Sequence, residues 1–95
     1  MGEKLTGFFL EFYKAIDQIL WEDWDPIGIS DDISARDEYQ GYVPNVYKLS
    51  LENKSDELTQ YLLYVEQERM GLKGNKEKCI KIVDLIITMK NNLGL

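Results

Sequence analysis

The chain has no histidine, one cysteine, two prolines and only 11 Lys and Arg against 17 Asp and Glu, and it has no long apolar run. Each shortage closes off a class of function. Without histidine the commonest general base is missing, and with Cys79 alone left from the usual zinc-ligand set, structural or catalytic zinc is not expected. One cysteine also excludes an intramolecular disulfide. The longest apolar stretches fall far short of a membrane span. The net charge of −6 opposes a phosphate backbone, whose binding depends on Lys and Arg, and it opposes an anionic membrane surface. Neither nucleic acid nor membrane is therefore expected as a partner. No secretory leader is visible at Met1-Gly2-Glu3-Lys4, and the Met1-Gly2…Thr6 start is a poor match to a myristoylation signal. The expectation is a cytoplasmic protein forming a single domain over residues 1–95.

What is present is an apolar periodicity of helical type, with 44% hydrophobic residues. Leu5, Phe8, Phe9, Phe12, Ile16, Ile19 and Leu20 mark a first helix from about Lys4 to Trp21, whose stripe should line the core. Pro44 suits a first helical turn, and a second helix is predicted from Val43 to about Glu52 with Val43, Val46, Tyr47 and Ser50 inward. Ser55 reads as the N-cap of a third, with Leu58, Tyr61, Leu62, Val65 and Arg69 on its stripe and Gly71 beyond its end. Asn75 caps a fourth that runs to about Asn92. There Cys79, Ile82, Val83, Ile86, Met89 and Leu93 share a face, and Ile80, Leu85 and Ile87 widen it enough to predict the most buried helix. No strand pattern or repeat is seen. The predicted class is all-α, a small compact bundle of about four helices with an acidic loop after the first.

That loop interrupts the pattern. Trp21-Glu22-Asp23-Trp24-Asp25-Pro26-Ile27-Gly28-Ile29-Ser30-Asp31-Asp32 holds both tryptophans and the densest acids. Pro26 and Gly28 break the helix, and Ser30, Asp31 and Asp32 favour capping and a short turn over Asp31–Arg36. Between Glu22 and Glu38 seven acids face Arg36 alone, a local charge equal to that of the whole chain. From Leu58 onward the balance is mildly basic, with Lys73, Lys76, Lys78 and Lys81 read as a solvated face. The aromatics Trp21, Trp24, Tyr39, Tyr42 and Tyr47 interleave with the acids. For Trp24 a core position is the better reading; for Tyr39 and Tyr42 core and interface readings stand level.

The same acids bear on two further chemistries. Asp23, Asp25 and Gly28 fit the start of a calcium loop, but Ile27 and Ser34 stand where oxygen ligands belong, so no metal ligand is assigned. Asp31/Asp32 and Asp37/Glu38 as catalytic carboxylates need a dry pocket that such a polar stretch does not offer. Cys79, on an apolar face, reads as an inert core thiol. A non-enzymatic protein without cofactor is expected.

With Trp24-Asp25-Pro26-Ile27-Gly28, Asp37-Glu38-Tyr39 and Tyr42-Val43-Pro44 in view, the chain resembles a group of small bacterial domains of unknown function with a WDPIG…DEY…YVP pattern, and more distantly the YugE-like family. The resemblance extends from about Trp24 to Asn92 and takes in Met70-Gly71-Leu72 and Cys79. It implies a small all-helical domain and supplies no functional residues. The later acidic-aromatic segment begins differently here.

The leading expectation is an interaction domain for a basic protein, most concretely an immunity or antitoxin-like protein that neutralises a nuclease-like toxin. Its contact set would be Asp31, Asp32, Asp37, Glu38, Tyr39 and Tyr42. The alternatives are a housekeeping domain with a weak divalent-cation site in the Asp23–Asp32 loop, and a structural homodimer paired through apolar helix surface.

Overall fold

The computed structural model describes residues 7–95. Four α-helices carry the fold: α1 (Gly7–Ile19), α2 (Val43–Leu51), α3 (Ser55–Tyr64) and α4 (Lys76–Asn92). No strand occurs among the described residues. The expected start of the first helix at Lys4, its first apolar residue Leu5 and the Met1-Gly2…Thr6 start lie outside them. α2 and α4 each pack against the other three helices, with α1 and α3 as flanks. The radius of gyration, 13.0 Å, is that of a closely packed chain of this length.

Helices α1 and α3 both run on into a wide π turn. After α1 the turn spans Leu20–Trp24 and closes with Asp25 N–H donating to the Leu20 carbonyl at 3.1 Å. After α3 it spans Val65–Arg69 and closes with Met70 N–H donating to the Val65 carbonyl at 3.0 Å. A π turn inserts a residue into the helical repeat. The buried set after α1 is therefore Leu20, Trp21 and Trp24, and after α3 it includes the adjacent pair Val65 and Glu66. The first helical segment thus reaches Trp24, three residues beyond the sequence expectation.

The core is built from Phe12, Ile16, Leu20 and Trp24 of the α1 segment, Val43 and Val46 of α2, Leu58, Leu62 and Val65 of the α3 segment, and Cys79, Ile82, Val83 and Ile86 of α4. Phe8 and Phe9, expected inside, are exposed. The stripe of α1 becomes buried only at Phe12, where Tyr47 of α2 comes up with ring centroids 5.9 Å apart. Ser55 is the first residue of α3 and not its cap. Lys54 holds the cap position without a side-chain bond, and the Ser55 carbonyl instead accepts from Thr59 Oγ1. Arg69, expected on the inner stripe, is exposed, because the π turn rotates it away. α4 is not wrapped on all sides either. Its cap is Asn75, whose side chain accepts from Lys78 N–H, and its inner face buries the expected Cys79, Ile82, Val83 and Ile86 and also Lys90, with Met89 and Leu93 only partly buried, but Ile80 and Leu85 are open to solvent. Among the described residues no fifth helix covers them.

Gly74 is the tightest backbone position. Its φ is +86°, and an added Cβ would fall 2.7 Å from Leu63 Cδ1 and 2.8 Å from Gln67 Nε2. Gln67 Nε2 donates to the Lys73 carbonyl at 2.8 Å, so that bond is lost if the side chain moves. Gly74→Ala should destabilise by about 2 kcal/mol through strain, crowding and the lost bond. Gly41→Ala, in open space with an ordinary backbone, should stay within about 1 kcal/mol of the parent. Urea unfolding of the two variants checks the contrast.

Candidate functional site

Three sets of polar bonds hold the acidic loop and its surroundings. The first centres on Glu66, which is only 2% exposed. Its Oε2 accepts from Trp24 Nε1 at 2.7 Å and from Cys79 Sγ at 3.2 Å, and its Oε1 accepts from Asn75 N–H at 2.7 Å. One carboxylate thus ties the π turn after α1, the end of the α3 segment and the start of α4. No buried side-chain N or O among the described residues lacks a partner. The same carboxylate governs Cys79: burial, then the hydrogen bond to Glu66 and its negative charge, push the thiol up to about 12. A thiol so placed is not a nucleophile at neutral pH.

The second bond set forms the loop itself. Asp25 sits in the left-handed region, φ 30° and ψ 62°, a conformation Asp tolerates better than most residues. Its Oδ1 accepts from Ile29 N–H at 2.8 Å and from the Tyr39 hydroxyl at 2.7 Å, and its Oδ2 accepts from Ser30 N–H at 3.2 Å. Burial pushes this carboxyl up, but the Ile29, Tyr39 and Ser30 donors outweigh it and hold its pKa below the usual carboxylate range. Burial and the bond to Asp25 drive the Tyr39 hydroxyl the other way, well above its ordinary value. Tyr39 is therefore a core residue, 1% exposed, with Trp24 and Trp21 at centroid distances of 5.4 and 6.1 Å. This corrects its expected place in the contact set. Its hydroxyl is needed by the loop and its ring by the tryptophans. Tyr42 is half-buried and meets the Trp24 ring edge-on.

The third set is a clamp. Arg36 Nη1 and Nη2 each lie 3.1 Å from an Asp17 oxygen, and the guanidinium sits 5.2 Å from the centre of the Trp21 ring. The loop's one cation is thus bound to α1 and is not available to neutralise the loop's acids. A short 3-10 turn, Ile33–Ala35, is capped by Asp32, whose Oδ1 accepts from Ser34 N–H and Oγ. This places a turn within the segment where one was expected.

Asp31, Asp32, Asp37 and Glu38 all remain exposed. Among them stands a residue the sequence reading passed over: Ile33 is 81% exposed, and Ile27 on the same loop is also open. The signal was the apolar Ile33 between Asp32 and Ser34, which no helical or strand period explains. A cleft of about 410 Å³, lined by Leu10, Tyr13, Lys14, Asp17, Gln40 and Val43, shares Asp17 with the clamp. At the base of the loop Pro26 lines a cavity of about 260 Å³ with Glu66, Lys73 and Lys78. The acidic and basic segments, well apart along the chain, therefore meet there.

Among the described residues no three of His, Cys, Asp and Glu converge as a cation would need. Asp25 turns both oxygens to the loop's own donors. Among the described residues no helix is long and apolar enough to cross a membrane.

Glu66→Ala should cost about 3–5 kcal/mol, since it leaves the buried Trp24 and Cys79 donors and the Asn75 N–H without their acceptor. Glu66→Gln should cost less, about 1–3 kcal/mol, because its amide retains one accepting oxygen. Denaturant midpoints give both. The Cys79 proton supplies a second check. The unfolded chain releases it near pH 9 and the folded chain near 12. That contribution is complete below pH 9 and is lost as the pH rises toward 12. The melting temperature should fall over pH 9 to 11, less steeply in Cys79→Ala, and native Cys79 should react with a disulfide reagent at pH 8 at least about 100-fold more slowly than in urea.

No protein-family model, curated protein or solved structure matches this chain, so what the site can do follows from its geometry.

Proposed function

We propose that this chain is a non-enzymatic interaction domain that binds a basic protein through the exposed loop residues Asp31, Asp32, Asp37 and Glu38, with Ile33 as the apolar anchor. Tyr42, half-buried, is the aromatic that remains at its edge. The observation that carries this reading is Ile33, 81% exposed amid carboxylates on a loop that is itself pinned. Interfaces of high affinity centre on an apolar anchor, with a charged rim that excludes water and steers the encounter. A loop fastened by Asp25, Tyr39 and Arg36 loses little conformational freedom on binding. The most concrete partner class is a nuclease-like toxin, whose phosphate-binding surface carboxylates can occupy. The chain would then be its immunity or antitoxin-like protein. The resemblance to WDPIG-bearing bacterial domains assigns no role to any residue. In this chain its elements have a structural use: Trp24, Asp25, Tyr39 and Tyr42 contact one another.

Affinity capture from cells that express the chain should recover a basic protein, held at about 50 mM salt and released near 500 mM, as screening of exposed charge requires. Asp31→Lys with Asp32→Lys should weaken it about 10- to 100-fold, and Ile33→Ala about 10-fold. Binding indifferent to salt and to both changes would overturn the proposal.

A further inference from the structure

We infer that two copies of this chain associate through the α3–α4 groove, α4 lying antiparallel against α4 of the second copy about a two-fold axis at Ile80. Ile80 is 50% exposed on the outer side of α4. Lys76 and Asp84 lie four residues to either side of it, so all three share one helix face. Beside them is a groove of about 290 Å³ lined by Asp56 and Thr59 of α3 and by Ile80, Val83, Asp84 and Ile87 of α4. Its floor is apolar and its charged wall residues, Asp56 and Asp84, are both anionic. Its complement is a side chain pair of one cation and one aliphatic group, which Lys76 and Ile80 of a second copy supply. Lys76, Asp56 and Asp84 make no ion pair among the described residues.

Charge fixes the register. A two-fold axis sets each residue before the axis against the one equally far beyond it. With the axis at Ile80, Lys76 meets Asp84 of the other copy, twice, and Asp56 stands by as a second carboxylate. An axis at Asp84 brings the two Asp84 side chains together. An axis at Lys76 brings the two lysines together. Only the first arrangement joins opposite charges and also closes the exposed Ile80 against its own copy. With the axis at Ile80 the two copies of α4 overlap over Lys76–Asp84 alone, so the interface falls below about 1,200 Å² in total and the dimer should be a weak one, with a Kd of about 100 µM. This surface is separate from the acidic loop.

Sedimentation velocity on the full chain, from about 5 to about 500 µM, should show a concentration-dependent dimer. Lys76→Glu and Asp84→Lys should each weaken it about 10-fold or more, and the two together should restore it to within about threefold. Ile80→Cys, with helicity intact by circular dichroism, should cross-link two chains at position 80 under mild oxidation, and Ile33→Asp should leave the dimer unchanged. A monomer at every concentration overturns the inference, as does a dimer that neither reversal weakens and Ile80→Cys does not cross-link.

Discussion

The fold depends on a carboxylate that pairs with no cation among the described residues. Glu66 lies inside the bundle, and its oxygens answer Trp24 Nε1–H, Asn75 N–H and the Cys79 thiol. Each donor comes from a different place: the turn that ends the first helical segment, the cap residue of α4, and the first inward residue of α4. A buried N–H without an acceptor costs a good part of a protein's net stability. An apolar residue at position 66 would leave two such N–H groups behind, so the carboxylate is dictated by the donors around it. Val65 and Glu66, neighbours at the start of the π turn, both face inward, one filling the apolar core and one facing the donors.

A second constraint acts on the loop, and it decides what is left for a partner. The loop is rich in groups that bind well, but several are already engaged. Tyr39 and Trp24 belong to the core, Asp25 holds the loop's own amides, and Arg36 is split between Asp17 and the Trp21 face. What remains exposed is one kind of charge and one kind of apolar group: carboxylates and isoleucines. Had Arg36 been free, it would have screened Asp37 and Glu38 at short range. Fastened to α1, it stiffens the loop and leaves the negative field standing.

Much of the frame could be read directly. Asn75 before α4, Pro44 in the first turn of α2 and Gly71 after the third helical segment are local signals, set by the backbone chemistry of a few neighbouring residues, and each holds. The reading failed where a distant partner decides. Glu66 stands in Val65-Glu66-Gln67-Glu68-Arg69, a run with the look of a solvated helix end; its burial is explained by Trp24, 42 residues earlier, together with Asn75 and Cys79. The same holds for Tyr39, level between core and surface until Asp25 supplies a partner for its hydroxyl. Arg69 was misplaced because periodicity assumes a constant repeat, and the π turn changes it. Ile33 was overlooked because an exposed isoleucine breaks the rule that sequence patterns rest on.

The two surfaces proposed here share that buried node without sharing residues. Through Trp24, Glu66 sets where the acidic loop leaves the first helical segment. Through Asn75, it sets where α4 begins, and so which way Lys76, Ile80 and Asp84 face. Damage at Glu66 therefore disturbs both surfaces by way of the fold, and a double loss in such a variant says nothing about either. Ile33 and Ile80 are the positions that separate them. Both are exposed, neither supports the core, and each stands at the centre of its own charged surround. A chain of this size that kept two binding faces independent would have to brace them from the inside. A buried carboxylate that grips three segments at once is a means of doing so.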